Sequence, residues 1–386
     1  MNDAERKNMT GKDTYLSLFL TFFSFGCLAW GGPVAQIAMI REELVERRQW
    51  IAPDKFKRAL AVYQALPGPE AHELCVYFGM VRKGRLGGFL AGLGFMLPGF
   101  LLILLLSWLY TLYGAKFLLP LFAGVAPAVT ALIVRAVDRI GRHTLTEGSL
   151  WIMACLSVVL TLLNVHFFWI FLMAAIWQAL WAKGLKAYAC ASLILLLACA
   201  AGLSVVFPGG DQTGAYDSGL FIDGLKAGLL SFGGAYTAIP FLKESMIGAY
   251  PGITQQSLLD GLALSSVIPA PLVIFGTFLG FLASGFTGAI LITLGIFIPA
   301  FAFTLVGHNY LEKAIENPSL HGVLDGIAAA VVGLLAVTAA EIVLQTLTGA
   351  FPLFIFSIAL AGLYLIRSKL AVPLIILGCG LLGLLF

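Results

Sequence analysis

Long apolar stretches recur along the chain, parted by short polar or basic segments. Most are near the twenty or so residues needed to cross a bilayer as a helix. Unbroken stretches cover 86–113, 116–138, 150–165, 167–182 and 187–207, then 286–307, 322–346, 351–366 and 370–386. Four others are interrupted. The run 16–40 is broken at Gly31-Gly32-Pro33 and the run 59–81 at Pro67-Gly68-Pro69. In the second half, 220–245 carries Gly233-Gly234 and Pro240, and 258–283 carries Pro269-Ala270-Pro271. Proline removes a helix donor and clashes with the preceding turn, so the prolines predict broken helices. A broken helix frees backbone groups that lipid cannot satisfy, and it persists where it lines a cavity or binds a solute. The expected fold is an all-α polytopic membrane protein with about nine spanning helices plus re-entrant hairpins.

Composition narrows the class further. Of 386 residues, 60% are hydrophobic and 11% charged. No soluble fold hides that much apolar surface, and the alternating ten-residue segments of a membrane barrel are missing. The net charge of +3 is small, and the basic residues flank apolar runs, which argues against a nucleic-acid partner. Cys27, Cys75, Cys155, Cys190, Cys199 and Cys379 are scattered through apolar segments without ligand spacing, so neither a metal nor a cofactor is expected. The polar start, Met1 to Lys12, is followed by an apolar run with Gly-Gly-Pro in place of a small-residue cleavage site, so no cleaved leader is expected.

The interrupted runs belong to an internal repeat. Ser24-Phe25-Gly26 aligns with Ser231-Phe232-Gly233, and without gaps Pro33 falls on Pro240 and Met39 on Met246. After short shifts Pro67 and Pro69 meet Pro269 and Pro271, Gly94 and Pro98 meet Gly295 and Pro299, and Gly124 meets Gly326. Ordered Gly and Pro landmarks of this kind mark a duplication. Eighteen of the 23 Lys and Arg lie before residue 204, in loops whose second-half counterparts, 247–258 and 284–286, have none. By the positive-inside rule the two copies face opposite ways. The expected division is a first repeat over 14–203, an external connector over 204–219, and an inverted second repeat over 220–386. Inverted repeats with broken helices are the plan of secondary transporters.

A helix restarting after a break offers free N–H groups and the positive end of its dipole, which suits an anion. The candidate substrate-binding residues are therefore Ser24, Gly26, Gly31, Gly32 and Gly68 in the first copy. Ser231, Gly233, Gly234, Thr237 and Ala270 are their counterparts in the second. Glu70, just after Pro69, is a candidate proton-coupling group, since an ionisable residue at membrane depth marks function. His72 and Lys226 bring charge near the site. Arg135 and Asp138 are expected to pair as i,i+3 neighbours. No P-loop, nucleophile elbow or HExxH occurs, and an enzyme is not expected. The Gly84–Gly88 and Gly88–Gly92 spacings suggest a possible homodimer face.

At these motifs the chain resembles the chromate transporter family. The resemblance rests on Phe25-Gly26 with Gly31-Gly32-Pro33, Leu66-Pro67-Gly68-Pro69-Glu70-Ala71, Gly92 to Gly99, and Phe232 to Tyr236 with Pro240-Phe241. It covers nearly the whole chain and both repeats, as in the long two-domain members. It implies a multi-pass carrier of the cell inner membrane that exports chromate, with sulfate as the structural mimic and lipid as its surroundings. Two departures stand out: Ala270 where many members have Gly, and His72 where Gln is common. Carriage of another small anion or solute on this scaffold is the alternative reading, and a membrane-embedded enzyme a more distant one.

Overall fold

The computed structural model describes residues 14–30, 32–113, 115–163, 165–189, 191–192, 216–232, 235–307, 318–366, 368 and 370–384. Gly31, Gly233, Gly234 and most of the expected span 187–207 lie outside them. Helices make up almost all of the described chain, and the chain is an all-α polytopic membrane protein. In order they are α1 (Tyr15–Cys27), α2 (Gly32–Ile40), α3 (Pro53–Ala65), α4 (Glu70–Tyr113), α5 (Ala115–Thr144), α6 (Gly148–Leu162) and α7 (Phe167–Ala182). The second half supplies α8 (Tyr216–Leu230), α9 (Ala238–Met246), α10 (Gln255–Val267), α11 (Phe275–Ala302), α12 (Pro318–Thr346), α13 (Ala350–Leu365) and α14 (Ala371–Gly383).

Element by element, α1–α7 correspond to α8–α14. Helices α2 and α9 have nine residues each, and α3 and α10 have thirteen each. Both α3 and α10 end where the chain meets a proline. Leu66 (φ −95°, ψ 157°) and Ile268 (φ −94°, ψ 155°) are both extended, because a following Pro ring disfavours the helical region. Helices α4 and α11 each turn sharply at one two-residue kink. It lies at Lys83-Gly84, with Gly84 at φ 65°, and at Ser284-Gly285, with Gly285 at φ 59°. The kink folds each helix back on itself, so that a Cβ on Gly79 would overlap the Gly87 carbonyl, and one on Gly280 the Gly288 carbonyl.

Packing follows the same pairing. Helix α1 lies on α4 and α8 on α11, and α4 also touches α11. The later helices are exchanged: α5 packs against α13 and α14, while α12 packs against α6 and α7. Lipid gives no hydrophobic drive between helices, so close backbone approach carries the association. A Cβ on Gly124 of α5 would overlap the Cys379 carbonyl of α14, and one on Gly326 of α12 would overlap the Ala174 carbonyl of α7. Leu105, Leu112, Trp151, Leu162 and Phe354 are exposed, as residues of a lipid-facing surface.

Among the described residues, three helical stretches are long and apolar enough to cross a membrane, 70–113, 272–307 and 322–346. Helices α1, α6, α7, α13 and α14 are apolar but have only 13 to 16 residues. At 1.5 Å per residue that is about 20–24 Å, short of a hydrocarbon core of about 30 Å. Helix α8 begins at Tyr216, inside the last residues of the expected connector 204–219. The glycine spacing over 84–92 is used within the chain: Gly88 and Gly92 are buried against Val76, with Leu305 and Phe301 at their far sides.

Candidate functional site

The helix breaks of the two copies meet. Where Pro67 and Pro69 interrupt the chain, the Gly68 N–H donates to the Ser231 carbonyl at 2.9 Å, and Pro67 bridges Phe232 antiparallel. Across from them, the buried Gln36 amide donates to the Ala29 carbonyl at 2.9 Å and to the Ala270 carbonyl at 3.1 Å. Carbonyls freed by the breaks at Ala29 and Ala270 thus share one side-chain donor. Lys243 holds the position equivalent to Gln36, three residues after the matched proline, and makes an ion pair with Glu341 of α12 instead. The two copies are therefore chemically unequal at matched positions.

Gly68 has φ 142°, a conformation L residues rarely adopt. A Cβ there would sit 2.9 Å from the Glu73 carboxyl oxygen, so that carboxyl lies directly against the break. Glu73 is fully buried, and neither oxygen has a hydrogen-bond partner among the described residues. Glu70, one turn earlier at the start of α4, is also buried. Gln64 of α3 and Arg139 of α5 lie close enough to influence it electrostatically. The Arg139 guanidinium lies over the ring of Tyr236, 5.8 Å from its centre, in the turn just after the second-copy break. His72 is buried edge-on to the Phe297 and Phe301 rings. The site thus combines opened backbone, two buried carboxyls and one guanidinium, an arrangement suited to binding a charged solute and a proton.

Not every sequence candidate falls here. Ser231, Thr237 and Ala270 are buried at the junction, and Gly32 (φ 77°) opens the restarted helix α2. Gly31, Gly233 and Gly234 lie outside the described residues. Ser24 is exposed and its hydroxyl donates to the Thr21 carbonyl at 2.7 Å, one turn back. Gly26 is inside α1, where a Cβ would overlap the Phe95 carbonyl, so it serves helix packing. Lys226 lies 3.7 Å from Asp223, which offsets its charge. The expected Arg135–Asp138 pair does not form. Asp138 accepts from Arg142 and from the Tyr364 hydroxyl, each at 2.8 Å, and Arg135 lies over the Tyr364 ring.

Sequence reasoning missed Arg139 as a site residue, because it reads as one more basic residue of a cytoplasmic flank. Two buried aspartates also escaped notice. Asp223 accepts from Tyr250 and Asp260 from Tyr110, each at 2.8 Å. An acid inside the apolar runs 216–230 and 255–267 was the available signal.

Known proteins bear on this geometry. The family profile described as "Chromate transporter" matches residues 16–179 and again 218–384. A "Chromate transport protein" of Pseudomonas aeruginosa is 47% identical over 99% of this chain and 94% of its own length. Another, of Cupriavidus metallidurans, is 30% identical over 96% of this chain and 93% of its own. No solved structure matches.

Proposed function

The chain belongs to the chromate transporter family, and on that premise we propose that it is a secondary transporter carrying chromate outward across the cell inner membrane, with the anion held where the breaks of two inverted repeats meet. The observation that carries the reading is the cross-copy junction: Gly68 bonded to Ser231, and Gln36 to both Ala29 and Ala270. Backbone amides around Gly32, Gly68, Gly233 and Gly234 replace the water shell of a tetrahedral dianion, with the Ser231 hydroxyl joining them when it leaves the Gly228 carbonyl, to which it donates at 3.1 Å. Helices restart at Gly32 and Glu70, and a helix N-terminus favours an anion. Sulfate has the same shape and charge and competes.

In this reading the first copy and the second are inverted, and the segments around Pro67 and Pro269 are re-entrant. Glu70 is the proton-coupling group. Outward movement of net negative charge follows the inside-negative potential, gaining about 2.3 kcal/mol per charge per 100 mV. The test is chromate flux in membrane vesicles, with sulfate as competitor. Gly32→Val and Gly68→Val force β-branched side chains onto positive φ at the junction and are expected to lower flux at least about tenfold at normal expression. Unchanged flux in both variants sinks the backbone cradle.

A further inference from the structure

The two hairpin helices turn alike but differ in what they carry at the turn. No charged residue flanks Ser284-Gly285 in α11, whereas Arg82, Lys83 and Arg85 surround the Lys83-Gly84 kink of α4. Charged groups stay out of hydrocarbon, so this tip lies at a membrane surface. The acids of the helical segment Arg41–Arg47 are spent locally: Arg41 pairs with Glu46 at 3.1 Å, Arg47 with Glu42 at 2.7 Å and Arg48 with Glu43 at 2.8 Å. Lys83 and Arg85 have no carboxylate partner among the described residues. Aromatic rings hold two of the tip's cations in place. The Arg82 guanidinium lies 4.8 Å from the centre of the buried Trp50 ring, and the Lys83 ammonium 5.9 Å from that of Tyr15 at the start of α1. Trp50 is itself packed between Phe22 and Phe78. A ring face attracts a cation without taking its N–H donors, so donors stay available to an anion. From the tip inward the surface is apolar. Helix α1 runs alongside this arm of α4: a Cβ on Gly87 would lie 3.3 Å from the Leu18 side chain, and one on Gly94 2.8 Å from the Phe19 carbonyl. Leu16 and Leu20 are exposed one turn apart on α1, and Leu86 and Phe89 one turn apart on α4.

We propose that the Lys83-Gly84 tip is a binding site for an anionic phospholipid, its phosphate among Arg82, Lys83 and Arg85 and its chains along Leu16, Leu20, Leu86 and Phe89. The site is separate from the helix-break junction and does not depend on which solute is carried. Clustered Lys and Arg at a membrane surface attract anionic headgroups. Cations already fixed on aromatic rings lose less side-chain freedom when they bind. A free anion would use the cations alone, whereas a lipid also covers the two exposed apolar rows beside them. The matching tip at Ser284-Gly285 has exposed Phe286 and Ile290 but no cation, so it offers lipid a wall without a headgroup site. Anionic lipid thus distinguishes the two copies at a place where their backbones are alike.

Native mass spectrometry of the purified full chain, titrated with phosphatidylglycerol or with phosphatidylcholine of the same chains, reads the affinity for each lipid. Phosphatidylglycerol is expected to bind at least about tenfold more tightly. Arg82→Gln, Lys83→Gln and Arg85→Gln are each expected to weaken phosphatidylglycerol about fivefold and to leave phosphatidylcholine unchanged, and the three together to erase the preference. The control is Lys55→Gln with Lys57→Gln and Arg58→Gln, which removes the same charge from α3 and is expected to keep the preference. A wild type that binds the two lipids equally overturns the proposal. So does a preference that survives the triple change at the tip, or one that the α3 control abolishes as well. Displacement of phosphatidylglycerol by millimolar sulfate would mark a site for free anions and also overturns it. Should the triple variant fail to fold, Arg85→Gln decides alone, because its exposed side chain makes no polar or ring contact among the described residues. Unchanged phosphatidylglycerol affinity in that variant overturns the proposal.

Discussion

Gln36 and Ser24 show how much a single side chain's surroundings decide. Both are polar residues near the first break, and the simple pattern of the chain points to Ser24. In the folded chain the Ser24 hydroxyl is spent on the Thr21 carbonyl, while Gln36 spans from Ala29 to Ala270. Gln36→Leu strands a buried carbonyl at each end, and leaving a buried polar group unpaired costs about 1–3 kcal/mol. The expected outcome is a lower unfolding temperature in detergent and reduced chromate flux. Ser24→Ala is expected to leave flux within about twofold of wild type in the same assay, since its hydroxyl bonds only locally. Equal losses in the two variants would show that Ser24 belongs to the site after all. Proline and glycine positions were readable because their backbone preferences are local. The role of Arg139 was not, because it depends on Tyr236 arriving from about a hundred residues away along the chain, and nothing in the basic run 135–142 announces that partner.

At the scale of elements, the breaks fall where the prolines put them: α3 stops before Pro67 and α10 before Pro269. The kinks at Lys83-Gly84 and Ser284-Gly285 were not anticipated as such. The sequence marks a loop at 284–286 and another at the charges around Lys83-Gly84, without telling a tight turn from a longer one. Segment ends for the short helices were legible within a few residues. Their short helical length was less so, since apolar loops and helix ends look alike in sequence. Close helix approach depends on small residues, and Gly124 is a demanding case because its missing Cβ makes way for the Cys379 carbonyl. Gly124→Leu pushes α5 from α14. Overpacking of this kind costs about 1–3 kcal/mol. A drop in unfolding temperature is the expected readout. Gly148→Ala is the control, since nothing lies within 4 Å of the added carbon.

For the whole molecule, the proposal that the halves face opposite ways is open to direct test. In a variant with the native cysteines replaced, Glu46→Cys and Ala249→Cys place thiols at exposed positions on corresponding sides of the two copies. An impermeant thiol reagent added to intact cells is expected to label Ala249→Cys and to reach Glu46→Cys only after permeabilisation. Labelling of both from one side contradicts inversion.

The exchange of α5 and α12 between the halves has a bearing on ancestry and manufacture alike. Each half lends its longest late helix to the other and receives one in return, like two hands with fingers interlaced. A chain cut after its first half would lack α12, which packs against α6 and α7, and neither half completes its packing without the other.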